Sequence, residues 1–161
     1  MKDLKDMKRV LLKLSGEALA GDKKTGFDEA TCADAARQVK TLVDEGLQVA
    51  IVIGGGNFWR GRTSETIDRT KADQIGMLAT VMNCIYVSEI FRSVGMKTNV
   101  LTPFECGSFT KLFSKDRANK YFEKGRWNRS SVFLHRYSNC SACHRDRGRR
   151  YPACKSNRWC I

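Results

Sequence analysis

The sequence predicts an α/β fold built on a mainly parallel sheet. Three observations carry that reading. A short run rich in β-branched residues, Leu47 to Ile53, ends abruptly in Gly54-Gly55-Gly56; a buried parallel strand has this pattern, and its carboxyl end is where open α/β sheets bind ligands. A strand-like stretch and then a helical one precede that run, so the order is strand, helix, strand, the order of a right-handed βαβ unit. Glycines stand just beyond the periodic stretches, at Gly46, Gly95 and Gly125, where helices stop.

The elements follow in order. Lys8 to Ser15 reads as the first strand and runs into Gly16-Glu17. Gly21 to Gly26 is a polar, glycine-bounded loop. Asp28 to Glu45 is helical, because Ala33, Ala36, Val39 and Val43 recur at spacings of three and four. The strand Leu47–Ile53 comes next. A loop from Gly61 to Thr66 leads to the longest helix, Arg69 to Val94. There Ile75, Leu78, Met82 and Ile85 form one stripe, widened by Tyr86, Ile90 and Val94. A helix this apolar is expected to be buried on most sides. Lys97 to Leu101 is a third strand, and Phe109 to Glu123 fits a further helix closed by Gly125. No repeat and no low-complexity linker interrupts the chain.

The length of 161 residues suits one domain. The charge, 29 basic against 17 acidic residues and +12 net, is unevenly spread. Residues 1–126 are net +5, whereas residues 127–161 carry eight basic residues against one acidic, net +7. Between Trp127 and Ile161 the only aliphatic residues larger than Ala are Val132, Leu134 and Ile161. Such a segment buries too little apolar surface to offset its ordering entropy, so residues 126–161 are expected to be a disordered, basic, Cys-rich tail. No uncharged apolar run reaches the ~18 residues of a membrane span. Met1 to Lys13 is too charged for a signal peptide. The expectation is a cytoplasmic chain with reduced cysteines and no membrane partner.

Chemistry concentrates at two strand ends. Three glycines bring backbone N–H groups close to a phosphate, and Arg60 and Arg62 add positive charge. A plain structural turn is the alternative for Gly-Gly-Gly alone. Lys13, beside the Ser15-Gly16 turn, can hold polyphosphate oxygens and neutralise charge in phosphoryl transfer; a lysine at a strand end also simply points into water. The Gly-x-x-x-x-Gly-Lys spacing of a Walker loop is absent. Asp73, near the start of the long helix, can accept from a ribose hydroxyl. By itself it reads more simply as a first-turn acid favoured by the helix dipole. Both glycine-bearing ends belong to one βαβ unit and so share one edge of the sheet, with room for a donor and an acceptor nucleotide.

Lys13-Leu14-Ser15-Gly16-Glu17-Ala18-Leu19, Ile53-Gly54-Gly55-Gly56-Asn57, Arg60-Gly61 and Ala72-Asp73-Gln74-Ile75-Gly76-Met77-Leu78-Ala79-Thr80-Val81-Met82-Asn83 closely resemble bacterial UMP kinases of the amino-acid-kinase superfamily. The resemblance covers about residues 7–125, in the family's order and spacing. It implies a three-layer α/β/α sandwich around a mainly parallel sheet, incomplete here, with residues 1–125 as the N-terminal part of the kinase domain. It implies transfer of the ATP γ-phosphoryl to UMP with Mg²⁺, a step of pyrimidine nucleotide biosynthesis, in GTP-regulated homohexamers. By resemblance Lys13, Leu14, Ser15 and Gly16 lie along the ATP phosphates, and Lys13 and Arg60 are catalytic. Gly55 meets UMP, Gly56 and Arg60 lie between the nucleotides, and Asp73 binds the UMP ribose. The Gly21–Gly26 loop resembles, less closely, the region linked to GTP regulation.

After Gly125-Arg126 the resemblance breaks. The family continues with an apolar strand, a Gly-Thr-Gly-x-Pro-Phe-Phe-x-Thr-Asp loop and an Ile-Asp-Gly-Val-Tyr stretch, none present as written. Cys140-Ser141-Ala142-Cys143-His144 instead matches the haem-attachment pattern Cys-x-x-Cys-His. With Cys154 and Cys160 these residues also form a possible zinc set, and the basic tail suits RNA. The alternative function is therefore a non-enzymatic nucleotide- or RNA-binding protein with a Cys/His metal-binding tail. Codon logic gives a simpler account. Allowed codons for Arg126 to Arg129, read one base later, give Gly-Gly-Thr-Gly. Those for Ser131 to Asn139 give Pro-Phe-Phe-Ser-Thr-Asp-Thr-Ala-Thr, and those through Ile161 continue to Ile-Asp-Gly-Val-Tyr. The tail is read as the family's missing segment out of frame, with no counterpart to the preceding strand. No metal site and no nucleic-acid partner are expected.

Overall fold

The computed structural model describes residues 8–59, 66–128 and 130–135. The chain begins with β1 (Arg9–Leu14), a short α1 (Gly16–Ala20), a 3₁₀ turn (Gly21–Lys23) and α2 (Glu29–Asp44). It continues with β2 (Gln48–Ile53), α3 (Arg69–Ser93), β3 (Lys97–Thr102), β4 (Lys111–Leu112), α4 (Lys115–Asn128) and β5 (Ser130–His135). The five strands form one sheet in the order β1-β2-β5-β3-β4, and every pairing is parallel.

Each boundary has a local cause. Asp28 caps α2, its carboxylate accepting from the Ala30 N–H at 3.1 Å. Asp68 caps α3 by accepting from the N–H groups of Thr70 and Lys71. These side chains satisfy N–H groups that the first helical turn leaves without partners. At the other ends Gly46 and Gly95 take φ of 94° and 86°, a left-handed conformation that glycine adopts without penalty.

Packing makes the three layers. Val49, Ile51 and Ile53 join Cys32, Ala36, Val39 and Val43 of α2 and Cys84, Val87 and Phe91 of α3 in one buried cluster. Ala50 and Leu101 form a second cluster with Ala118 and Phe122 of α4. Successive strand residues point to opposite faces, so the helices cover both sides of the sheet, as expected of an α/β/α sandwich.

Three expectations are corrected. The first concerns the end of the chain. Instead of stopping at Gly125, α4 runs through it to Asn128, and Ser130–His135 enters the sheet between β2 and β3. Ala50 to Ile53 pair with Val132 to His135, and Lys97 to Leu101 with Ser130 to Leu134. Backbone hydrogen bonding to two neighbours needs few aliphatic residues, so a composition test passes over a strand this short. Residues 136–161, including Cys140, Cys143, His144, Cys154 and Cys160, lie outside the described residues.

The second correction concerns the segment after β3. Phe109 to Phe113 is not helical; Lys111 and Leu112 pair with Leu101 and Thr102. Helix α4 starts only after Ser114, whose hydroxyl accepts from the Arg117 N–H at 3.1 Å.

The third concerns α3. Its buried face is Ala72, Ala79, Thr80, Val81, Asn83, Cys84, Val87, Ser88 and Phe91. The stripe of Ile75, Leu78, Met82 and Ile85 is exposed, Leu78 by 60%. Leu78, Val81, Met82, Ile85, Phe27 and Tyr86 line an open apolar groove of about 550 Å³, where the Phe27 and Tyr86 rings stack with centroids 3.7 Å apart. The face that packs inward carries mostly small residues, which let the helix approach the glycines of the loop closely. Periodicity identifies a face but not its direction when the helix is apolar on several sides.

The described thiols give a first prediction. Burial pushes the Cys84 thiol from the ordinary 9.0 up to about 12. Burial, then the charges of Asp28 and Glu29, raises that of Cys32. The reactive thiolate is therefore suppressed at both. Alkylation of the native chain at pH 8, read by peptide mass spectrometry, is expected to leave Cys32 and Cys84 unlabelled until denaturant is added. Because the native state keeps these protons longer than the unfolded one, their stabilising effect is intact below pH 9 and falls as pH rises beyond it, for Cys84 up to about 12. Rapid native labelling of Cys84 contradicts the packing.

Candidate functional site

The parallel pairing of β1 and β2 sets Lys13 opposite Val52 and Leu14 opposite Ile53. Ser15-Gly16 and Gly54-Gly55-Gly56 therefore leave the sheet side by side at its carboxyl edge. The Gly54 N–H donates to the Leu14 carbonyl at 3.2 Å, continuing the contact one residue past the strand. Ser15 caps α1, its Oγ accepting from the Ala18 N–H at 3.0 Å. Lys13 is exposed, as are Ser15 and Glu17, whereas Gly16 is buried.

The two turns touch. A Cβ on Gly16 would lie 2.4 Å from Asn57 Oδ1 and 2.8 Å from both the Gly54 carbonyl oxygen and the Gly56 nitrogen. A Cβ on Gly55 would lie 2.8 Å from Thr80 Oγ1 and 2.9 Å from the Gly76 carbonyl oxygen. Gly55 thus seats the loop against α3. A Cβ on Gly56 would meet the Glu17 side chain at 3.3 Å. Among the described residues nothing accepts from the N–H groups of Gly55 and Gly56. Half-buried main-chain donors at the sheet edge that also carries a lysine suit an anionic oxygen.

Asp73 occupies the first turns of α3, three residues before Gly76, and so shares the helix face that meets the loop. Its carboxylate is half exposed and lies 3.3 Å from Arg69 Nε. Trp59 binds the loop to the same region, its Nε1–H donating to the Ala72 carbonyl at 2.9 Å. The structure thus brings Lys13, Leu14, Ser15, Gly16, Gly55 and Gly56 to one edge and places Asp73 on the adjoining helix. Arg60 and Arg62 lie outside the described residues.

Site reasoning from the sequence assigned no part to Asn57, Trp59, Thr80 or Asn83. Asn83 had a signal. It is a polar residue inside the apolar stretch Met77–Val87, and it is fully buried. A buried amide there demands hydrogen-bond partners. Among the described residues no group of three or more His, Cys, Asp or Glu is arranged to hold a metal ion.

The amino acid kinase family model matches residues 8–129. Among solved structures, the chain is similar to the UMP kinase of Bacillus anthracis, with 34% identity, a TM-score of 0.72, and coverage of 79% of this chain and 52% of that one. It is also similar to the UMP kinase of Ureaplasma parvum, with 28% identity, a TM-score of 0.71, and coverage of 80% of this chain and 55% of that one. The chain spans about half the length of these two structures.

Proposed function

The chain belongs to the amino acid kinase family, and on that premise we propose that it supplies the phosphate-handling edge of a nucleoside monophosphate kinase acting on ATP and UMP. One observation carries the reading: the turns that follow β1 and β2, with Lys13 near the end of one strand and Gly54-Gly55-Gly56 at the end of the other, leave the sheet side by side. In this reading Lys13, with Leu14, Ser15 and Gly16, lines the donor phosphates. Gly55 faces the acceptor phosphate, Gly56 lies between the two nucleotides, and Asp73 accepts from the acceptor's ribose. The bond from the γ-phosphorus to its bridging oxygen breaks as a UMP phosphate oxygen bonds to that phosphorus, leaving ADP and UDP. Such transfer needs alignment and charge neutralisation more than a strong base, and the groups at this edge offer both. Mg²⁺, when bound, neutralises the transferring phosphoryl oxygens; with no acidic cluster at the described edge, it would be held chiefly by the nucleotide phosphates. A cytoplasmic setting follows from the same reading.

The test is titration of the 161-residue chain with inorganic tripolyphosphate and with MgATP by calorimetry, beside a coupled assay for UDP. Weak binding of both is expected, with little or no turnover. Lys13→Ala is expected to weaken binding about tenfold, equivalent to ~1.4 kcal/mol, without changing the melting temperature. Failure of the chain to bind either ligand, or unchanged binding by Lys13→Ala, overturns the assignment.

A further inference from the structure

Asn57 and Asn83 are 1% and 0% exposed, and they bind each other twice. Asn83 Nδ2 donates to Asn57 Oδ1 at 2.6 Å, and Asn57 Nδ2 donates to Asn83 Oδ1 at 3.2 Å. Each amide spends its other hydrogen on a main-chain carbonyl. Asn83 Nδ2 donates to Gly54 at 2.7 Å, and Asn57 Nδ2 donates to Gly26 at 2.7 Å. A carbonyl oxygen only accepts, so these two contacts fix which way each amide faces. The main chain adds a further bond, from the Gly26 N–H to the Asn57 carbonyl at 3.3 Å. All four amide hydrogens and both amide oxygens are therefore used, in a site closed to water.

We infer that Asn57 and Asn83 are positioning residues, a reciprocal amide clasp that fixes the Gly54–Gly56 loop on α3 and ties it to the segment ending at Gly26. The inference deepens the phosphate-binding reading and rests on it for its effect on ligand affinity. Glycines alone leave the loop many conformations. A loop that must order itself on each binding event loses affinity to that ordering. The clasp removes that freedom beforehand, from an interior where a satisfied network is rigid and a broken one is costly. It also gives the Gly21–Gly26 segment a direct mechanical connection to the glycine loop, through Asn57.

The experiment uses the full chain and two near-isosteric or smaller variants, Asn83→Asp and Asn57→Ser, with Ser88→Ala as a control. Ser88 is buried in the same helix but bonds to Thr98, away from the loop. Hydrogen exchange is followed by NMR, and tripolyphosphate affinity by calorimetry, below each variant's melting transition. In at least one folded clasp variant the amides of Gly54, Phe58, Trp59 and Gly26, each of which donates to a main-chain carbonyl, are expected to exchange at least tenfold faster, with β3 unchanged. The same variant is expected to bind tripolyphosphate at least tenfold more weakly. Ser88→Ala should lose stability yet keep both properties within twofold. Wild-type exchange at the loop in the clasp variants overturns the inference, as does faster exchange with undiminished affinity, or equal losses in Ser88→Ala. Should the wild-type chain bind no tripolyphosphate, the phosphate reading itself fails, and loop exchange alone decides whether the clasp exists.

Discussion

A chain ending at Asn128 is expected to lose cooperative thermal unfolding, whereas one ending at His135 keeps it. The reason is the place of β5. It lies between β2 and β3, and no other described strand joins the two halves of the sheet. Removing it leaves β2 and β3 each with an open edge and separates β1-β2 from β3-β4. It also takes away part of the floor under α3 and α4, both of which pack on it. Small domains are stable by only about 5–15 kcal/mol, and loss of a central strand with two ladders is expected to remove most of that. Unpaired edges and uncovered apolar faces should then promote association. Circular dichroism melts and light scattering of the two truncations decide the matter. Identical sharp transitions would return the folded boundary to Gly125 and remove β5 from the account.

Gly16→Ala is expected to destabilise the chain by about 2–3 kcal/mol, the scale of overpacking in a close-packed interior. The three atoms that the added methyl would meet, at 2.4–2.8 Å, are a buried amide oxygen and two main-chain atoms of the opposite turn. None is the free end of a flexible side chain, so the two turns must separate. Gly54→Ala provides the contrast. Its methyl would find only the Gly16 nitrogen, at 3.8 Å, and its cost should stay within about 0.5 kcal/mol. Denaturant titration of the two variants measures the difference. Phosphate affinity should follow stability here, because separating the turns moves Lys13 away from the Gly55 and Gly56 N–H groups. Equal stabilities for the two variants would mean that the turns do not meet as described.

Much of the architecture is local in origin, which is why it could be read along the chain. The runs at β1, β2 and β3 and the stops at Gly46 and Gly95 each follow from a few neighbouring residues. So does the arrival of the Ser15 and Gly54 turns at one edge, since consecutive parallel strands of a βαβ unit must end on the same side. Other features depend on contacts far apart in sequence. Ser130–His135 is a strand because β2 and β3 leave a gap that its backbone fills, a matter that its composition does not express. The direction of α3 was settled by which of its faces could approach the glycine loop, and the small residues won over the larger apolar stripe. Asn57 and Asn83 stand 26 positions apart, and nothing short of the folded chain brings their amides together. The sequence by itself determined the family, the parallel sheet and the meeting of the two glycine-bearing turns at one edge, because those depend on local backbone chemistry. Only the tertiary structure decided what fills the middle of the sheet and what holds the glycine loop still, because hydrogen bonding between distant segments is a property of their juxtaposition.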